Sequence, residues 1–307
     1  MPSVSVIMSA YREPTEYLQA SVNSILSQTC SDFELIILLD DPENASAWDC
    51  LQGFAQKDPR VRLFKNGRNL GLTGSLNRAL SFAQGEYVAR MDADDISAPD
   101  RLEKQLAFLQ ENRLDICGAW VMDMDERGKP ISGKPTRTPQ SDSGVKKFLR
   151  RNSAILHPTW FLKRSVYAAL GGYREIDACE DYDFLVRAAL KGFRLGNVGE
   201  TLLLYRLTNP DSVSNRKRGR QKAALSFLSA AYRKGRSPSM EEWTQYWESE
   251  SGVRKMRNFD RFYSVRQEMK KRRSLSYAAK NLIPLLLTSG EAREALWTFV
   301  CSKLLPL

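Results

Sequence analysis

Histidine occurs once in the 307 residues, and the five cysteines are scattered with no CxxC pair among them. Zinc sites are built from closely spaced Cys and His, and disulfide frameworks from paired Cys, so the sequence argues against both. Unpaired thiols are typical of a reducing compartment, and we therefore expect a cytoplasmic protein. Collagen-like, repeat-like and prion-like bias is also missing from the composition, which argues against a fibrous or repeat architecture.

Long apolar runs are missing as well. No stretch approaches the roughly 20 residues that a membrane-spanning helix needs. The first residues, MPSVSVIMSAY, lack the basic segment that precedes the apolar core of a signal peptide. With 42% hydrophobic and 27% charged residues, the composition is that of a globular protein in water, and the length suits one large or two ordinary domains.

Net positive charge is confined to the end of the chain. Residues 213–307 contain 20 Lys and Arg against 8 Asp and Glu, whereas residues 1–212 contain 26 against 28. The net charge of +10 therefore comes from the last third. We predict an N-terminal domain over residues 1–212 and a basic helical region over residues 213–307, and such a basic region suggests an anionic partner.

Strand and helix periodicities alternate through the first 125 residues. The segments SVSVIMSA, FELIILLD, VRLFKN and EYVARMD have the character of buried strands, and an amphipathic helix follows each. This order predicts an α/β fold with a mostly parallel sheet flanked by helices. In such sheets ligands bind beyond the carboxyl ends of the strands. Those ends fall at residues 10–11, 40–41, 66–71 and 92–95.

An acidic cluster, MDADD, stands at the end of the fourth predicted strand, where Asp92, Asp94 and Asp95 follow one another closely. Carboxylates at positions i and i+2 of an extended backbone point to the same side and can chelate one hard cation, such as Mg²⁺ or Mn²⁺. The alternative is an acidic turn in which Asp95 helps to cap the next helix. A second strand ending in Asp40 and Asp41 favours the cation site.

Six segments in series resemble the family 2 glycosyltransferases, whose catalytic domain has the GT-A fold. In chain order they are SVIMSAYREPTEYLQASVNSILSQT, FELIILLDD, NLGLTGSLNRAL, GEYVARMDADDISAPDRLEKQ, HPTWFLKRSVYAALGGYRE and EDYDFLVRAALKG. Each is a weak signal alone, but six in the usual order over roughly residues 3–207 are specific. The resemblance implies a GT-A (nucleotide-diphospho-sugar transferase) domain over residues 1–212, with a nucleotide-sugar half at 1–125 and an acceptor half at 126–212, followed by a helical appendage.

The resemblance also implies an activity, the metal-dependent transfer of a hexose with inversion from a sugar nucleotide, here expected to be a UDP-sugar, to an acceptor hydroxyl. Carried over by position, nucleotide contacts are assigned to Ala10, Tyr11, Glu13, Asp40, Asp41, Asn69, Gly71, Asp92 and Ala93. A cation, Mn²⁺ or Mg²⁺, is assigned to Asp92, Asp94, Asp95 and His157. The expected general base is Asp181, with Glu180 beside it.

The chemistry independently needs two separate groups of acids. A cation neutralises the departing diphosphate, and a carboxylate on the opposite face removes the proton of the attacking hydroxyl. Other interpretations stay open: Asp181 and Glu13 could serve only as favourable charges at helix starts, and His157 could be a satisfied buried histidine. We expect Trp120, Trp160 and Tyr173 to pack in the core rather than stack on a sugar.

The chain departs from the usual family pattern at two strand ends. SAYREP places Arg12 where Asn is common, and DDPENAS replaces the usual DDGS. The QxxRW segment of processive synthases is missing, and so are membrane-spanning runs. These features favour an enzyme that transfers a single sugar.

Basic clusters alternate with apolar segments in the tail, as in NRKRGRQK (215–222), EMKKRRSLSYAAKNLIPLLL (268–287) and EALWTFVCSKLLPL (294–307). This pattern suits a region lying on an anionic lipid surface, peripheral at the inner face of the cell membrane. It suits equally a helical appendage packed on the catalytic domain. Lipid contact would fit a lipid-linked saccharide acceptor in surface-polysaccharide (O-antigen or capsule) synthesis. Nucleic acid is not expected, because no binding motif for it occurs.

Two other function classes remain as alternatives. A nucleotidyltransferase shares the nucleotide-binding sheet and the carboxylate-held metal, but it usually opens with a Gly-rich basic loop, which SAYREPTE lacks. A non-catalytic membrane- or polyanion-binding protein would have lost Asp94 or Asp181, and both are present. The sequence therefore favours the transferase.

Overall fold

The structure is a computed structural model that describes residues 1–131, 133–176, 178–207, 218–272 and 275–304. Its strands are β1 Val4–Ala10, β2 Phe33–Leu39, β3 Val61–Lys65, β4 Tyr87–Asp92, β5 Ile96–Ser97, β6 Ile116–Met124, β7 Phe161–Lys163 and β8 Leu195–Arg206. Its helices are α1 Thr15–Leu26, α2 Ala45–Lys57, α3 Gly71–Phe82, α4 Arg101–Glu111, α5 Asp142–Leu149, α6 Arg164–Leu170, α7 Glu180–Leu190, α8 Arg218–Arg233, α9 Met240–Glu248, α10 Glu250–Arg272, α11 Leu275–Thr288 and α12 Gly290–Leu304.

The chain divides into two compact units. The first comprises Met1–Glu175 and Glu180–Thr208, and the second comprises Ile176–Cys179 and Asn209–Leu307. The first unit holds the sheet and α1 to α7, and the second holds α8 to α12.

The sheet has the order β3-β2-β1-β4-β7-β6-β8-β5. Strands β3, β2, β1 and β4 pair in parallel, as the βα alternation predicts. Strand β7 is antiparallel to both β4 and β6, β8 is parallel to β6, and β5 is antiparallel to β8. The predicted α/β fold, a mostly parallel sheet flanked by helices, is therefore confirmed, with antiparallel pairings in its second half.

The parallel register brings the polar strand ends to one edge of the sheet. Ala10 of β1 pairs with Leu39 of β2, and Ser9 pairs with Asp92 of β4. All seven residues of β2 are buried, because a parallel strand covered on both faces needs a continuous apolar sequence. The segments that follow β1, β2 and β4 therefore emerge side by side, where the sequence predicts a ligand site.

Local signals explain where several helices begin. The side chain of Asn44 accepts a hydrogen bond from the N–H of Ala47 and so caps the start of α2. Helix α3 begins at Gly71, whose φ of 72° is a conformation that other residues adopt at a cost. Leu72, in the first turn of α3, is exposed.

The second unit contains helices α8 to α12, as predicted for the appendage. Its apolar core includes Phe259, Phe262, Leu285 and Ala292. Part of the basic cluster NRKRGRQK, residues 215–217, lies outside the described residues. None of the helices that the structure describes is both long and apolar enough to cross a bilayer.

Candidate active site

The acid loop, residues 92–95, joins β4 to β5. Asp92 is the last residue of β4, and Asp94 and Asp95 lie in the turn that follows. One carboxylate oxygen from each of the three lies within 4.8 Å of the others. Ala93 is buried between them. Glu13, from the β1–α1 connection, is near enough for its negative charge to raise the pKa of Asp94.

These carboxylates are crowded, and two of them have raised pKa values. Burial, followed by the charges of Asp92 and Glu13, raises the pKa of Asp94 to about 7. Burial and the neighbouring Asp92 and Asp94 also raise the pKa of Asp95 well above its ordinary value. Asp95 is fully buried, and its Oδ2 has no hydrogen-bond partner among the described residues. Clustered carboxylate oxygens with one buried oxygen unsatisfied fit a hard divalent cation such as Mg²⁺ or Mn²⁺.

Three arginines hold the acid loop in place. The main-chain N–H of Arg206 donates to Oδ1 of Asp95 at 2.9 Å, and its Nε donates to the carbonyl of Asp94 at 2.7 Å. Arg90 pairs with Asp92 through both terminal nitrogens. Arg101 donates to the carbonyl of Arg90 at 2.7 Å. The sequence reasoning missed all three, although an arginine inside a buried strand, as in YVARMD, was a usable signal.

Asp40 holds the connection between β3 and α3. It is buried, and its oxygens accept hydrogen bonds from Asn66 Nδ2 at 2.7 Å, from the N–H of Leu70 at 2.7 Å and from the N–H of Gly71 at 2.9 Å. Asn69 Oδ1 also accepts from Gly71. The resemblance assigns Asp40 to the base of the nucleotide, whereas in this structure its oxygens are engaged by its own chain.

The end of β1 forms a second small network. The Nε of Arg12 donates to Asp41 at 2.7 Å, and this contact lowers the pKa of the Asp41 carboxyl. The guanidinium lies 4.9 Å from the centre of the half-exposed ring of Tyr11. The N–H of Tyr11 donates to Glu13 Oε2 at 2.6 Å. Ala10 is buried, so any ligand contact there would be through its main chain.

The second group of acids begins α7. Glu180 and Asp181 are its first two residues, and burial is the main cause that raises the pKa of Asp181. Two residues later, the fully buried Asp183 pairs with Arg174 and with Arg187. These ion pairs fix the first turn of α7 and therefore the position of Asp181.

A single guanidinium links the two acidic groups electrostatically. The positive charge of Arg90 lowers the pKa of both Asp94 and Asp181, against the stronger effect of burial. Such influence is appreciable only over short distances. The acid loop and the start of α7 therefore both lie near Arg90.

His157 does not join the carboxylates of the acid loop. Its Nε2 lies 2.9 Å from Oη of Tyr173, and its ring packs against Trp160. Burial, with a smaller effect of Arg90, lowers its pKa well below the ordinary range. The grouping of possible metal ligands in the described residues contains Asp92, Asp94 and Asp95 without it. The geometry thus supports the alternative, a satisfied buried histidine. Trp160 and Tyr173 pack in the core as predicted, whereas Trp120 is only partly buried.

The family model for glycosyl transferase family 2 matches residues 5–171, more than half of the chain. The chain belongs to this family. Among curated members, an uncharacterised glycosyltransferase of Methanocaldococcus jannaschii is 37% identical over 217 residues, which cover 70% of this chain and 74% of that protein. The O-antigen biosynthesis glycosyltransferase WbnJ of Escherichia coli is 33% identical over 231 residues, covering 74% of this chain and 85% of that protein.

Solved structures agree on the fold of this family 2 glycosyltransferase. The mannosyltransferase PcManGT of Pyrobaculum calidifontis, solved with GDP-Man and Mn²⁺, superposes with a TM-score of 0.59. The alignment covers 99% of this chain and 81% of that one at 17% identity. At this identity the likeness concerns the fold alone. The resemblance to family 2 and the GT-A fold predicted from the sequence are both confirmed.

The family match covers the acid loop and ends before α7. It shows the family and does not test single residues. The roles assigned to Asp94, Asp95 and His157 in metal binding and to Asp181 in proton transfer therefore remain predictions, of which the geometry supports all except that of His157.

Proposed function

We propose that this family 2 member is an inverting, divalent-metal-dependent hexosyltransferase that uses a nucleotide-diphosphate sugar, with UDP as the expected nucleotide. One observation carries the proposal: Asp95, whose buried Oδ2 has no hydrogen-bond partner among the described residues, lies beside Asp94 and Asp92 at the carboxyl edge of the sheet. An uncompensated buried oxygen is costly. A donor-bound cation at this point would supply the missing partner.

Asp94 and Asp95 would hold Mn²⁺ or Mg²⁺, with Asp92 beside them. When bound there, the cation would neutralise the charge that develops on the departing diphosphate. Mn²⁺ in the structure of PcManGT supports this assignment by analogy of fold. The three arginines around the loop keep the carboxylates oriented before any ligand arrives, so little reorganisation is needed on binding.

Asp181 would accept the proton of the acceptor hydroxyl. As the hydroxyl oxygen forms its bond to the anomeric carbon, the bond from that carbon to the diphosphate oxygen breaks, and the proton passes to the carboxylate of Asp181. A carboxyl whose pKa is raised by burial is a stronger base than an exposed one. Inversion follows because the attack comes from the face opposite the leaving diphosphate.

The proposed acceptor is a lipid-linked saccharide of surface-polysaccharide synthesis. The relationship to an O-antigen biosynthesis enzyme supports this choice. In the basic second unit, Ile283, Leu287 and Trp297 are exposed by 53%, 75% and 65%. Apolar side chains in a cationic region suit contact with an anionic membrane surface at the cytoplasmic face.

The test is a donor panel of UDP-, dTDP- and GDP-linked sugars with Mn²⁺ and a lipid-linked GlcNAc or GalNAc acceptor. We expect metal-dependent release of the nucleoside diphosphate and a product with inverted anomeric configuration. Asp94→Ala and Asp181→Asn should remain folded and lose transfer. Formation of a sugar nucleotide from a sugar phosphate and a nucleoside triphosphate would instead identify a nucleotidyltransferase. Binding to polyanions or lipid without turnover of any donor would identify a non-catalytic protein.

A further inference from the structure

The three arginines around the acid loop differ in what they hold. The guanidinium of Arg206 donates to the carbonyl of Asp94, and that of Arg101 donates to the carbonyl of Arg90 and to Oε1 of Gln105. Arg90, by contrast, pairs with the side chain of Asp92. Its Nη1 donates to Oδ2 at 2.7 Å, and its Nη2 lies against Oδ1. Among these three arginines, Arg90 is therefore the one whose positive charge directly offsets a carboxylate of the acid loop, that of Asp92.

The Arg90–Asp92 pair is held firmly. The side chain of Arg90 is 3% exposed. Arg90 lies on the central strand β4, and its main-chain carbonyl accepts a hydrogen bond from Arg101. Charge-assisted, two-point pairing of this kind is among the strongest hydrogen bonding in proteins. With both oxygens engaged, Asp92 is a poorer ligand than Asp95, whose Oδ2 is free of partners in the described part of the chain.

We propose that Arg90 is a positioning residue that sets the charge of the cation site. By pairing with Asp92 it withdraws one of three carboxylates from the ligand set, and it tunes the site toward a divalent rather than a trivalent cation. The inference rests on the proposed function, because it assumes that the acid loop holds the metal. It adds a residue outside the acidic motif as a determinant of which cation binds.

The physical basis is the dependence of attraction on ion charge. If a positive charge beside the site is removed, every bound cation is held more strongly, and a trivalent ion gains half as much again as a divalent one. The ratio of Tb³⁺ affinity to Mn²⁺ affinity therefore reports the local charge. Because both ions bind at the same oxygens, general loss of site geometry affects the ratio less than either affinity.

The experiment measures Mn²⁺ binding by paramagnetic resonance and Tb³⁺ binding by luminescence, on the full chain alone and with the donor found in the panel. The variants are Arg90→Met, Asp92→Asn, the double variant and Arg90→Lys. We expect the Tb³⁺/Mn²⁺ ratio to rise roughly tenfold or more in Arg90→Met and to fall in Asp92→Asn. The double variant should return towards wild type, and Arg90→Lys, which keeps the charge, should preserve the ratio.

Arg62→Met is the matched control, since Arg62 pairs with the buried Glu34 on β2 of the same sheet, away from the acid loop. Its ratio should equal that of the wild type. An unchanged ratio in Asp92→Asn, or a ratio in Arg90→Lys well above that of the wild type, would overturn the inference, and these two variants decide it if Arg90→Met fails to fold. If the wild type bound no Mn²⁺ with or without the donor, the proposed function itself would be contradicted.

Discussion

Arg206 and Asp95 are 111 positions apart in the chain and are joined by a 2.9 Å hydrogen bond from the main-chain N–H of Arg206 to Oδ1 of Asp95. The bond fixes one oxygen of a fully buried carboxylate and leaves the other without a partner among the described residues. The end of β8 thus holds the acid loop in a shape that is electrostatically unfavourable by itself. Several measurable properties follow.

Replacing Asp95 should separate stability from function. In Asp95→Asn, the amide still accepts from Arg206, and the buried negative charge is removed. We expect the metal-free Tm to rise by about 2–4 °C, the shift that about 1 kcal/mol produces in a domain of this size. The stabilisation that Mn²⁺ gives the wild type should disappear. Calorimetry with and without Mn²⁺ measures both effects, and a lower metal-free Tm would contradict the prediction.

The acid loop also predicts a pH dependence. In the folded chain the pKa of Asp94 is raised to about 7, above the about 3.9 of an unfolded chain. The folded state therefore binds the proton more tightly than the unfolded state does. Its stability falls as the pH rises through the window between these two pKa values. In EDTA, Tm should decline between about pH 5 and 8, and Asp94→Asn should reduce the slope.

Asp58→Asn is a suitable control for this pH dependence. Its carboxyl pKa is lowered by a hydrogen bond from Arg60, so it is ionised in both states throughout the window. The control should leave the slope unchanged. Equal slopes in wild type and Asp94→Asn would show that Asp94 titrates normally.

Proton transfer should depend on one of the two acids that begin α7. Asp181→Asn removes the proposed base, and we expect transfer to fall by about 10²–10⁴-fold. Mn²⁺ and nucleotide affinity should stay close to wild type because the acid loop is intact. Glu180→Gln is the neighbouring control and should reduce transfer activity less than Asp181→Asn does. Full transfer activity in Asp181→Asn, measured by product formation under single-turnover conditions, would remove it as the base.

Asp183 should matter for stability. It is fully buried between Arg174 and Arg187, and Asp183→Asn leaves the two cations facing a neutral group. Breaking a buried pair from one side costs about 3–5 kcal/mol. We expect a loss of this order in urea denaturation, together with slower transfer because the first turn of α7 is no longer fixed. Lys104→Ala, which removes the exposed ion pairs with Asp100 and Glu200, should reduce stability far less, and equal losses would contradict the role of burial.

Membrane contact can be tested through the exposed apolar side chains of the second unit. Leu287→Ser with Trp297→Ser should reduce sedimentation with phosphatidylglycerol vesicles, and the wild type should bind phosphatidylcholine vesicles weakly. Ile131→Ser removes a side chain exposed by 57% in the first unit and should leave sedimentation with phosphatidylglycerol vesicles unchanged. Unaltered binding by the double variant would place lipid contact elsewhere or exclude it.

The sequence predicted the parts of this protein that depend on local patterns. The βα alternation gave the parallel half of the sheet, and the spacing of Asp92, Asp94 and Asp95 indicated their proximity. Strands β5 and β7 were not predicted, because two or three residues are too few to show a period. The hydrogen bonds of Arg206 were beyond reach for a different reason, since they join segments far apart in the chain.

His157 shows a further limit of motif reasoning. The resemblance assigned it to the cation, but whether a histidine faces a ligand or the core depends on its neighbours. Here Trp160 and Tyr173 surround it. Only the folded arrangement reveals that its Nε2 is already matched with the Tyr173 hydroxyl.

The hydrogen bonds that Asp40 accepts from Asn66, Leu70 and Gly71 bear on how the preference for a sugar-nucleotide donor could change during evolution. The carboxylate works as an anchor for the β3–α3 connection, so the intervening residues 67–70 can vary while their ends stay tethered. We expect chains of this kind to diverge in nucleotide preference through that short stretch. A library randomised there, with Asp40 kept, would be the natural starting point for redesigning the donor.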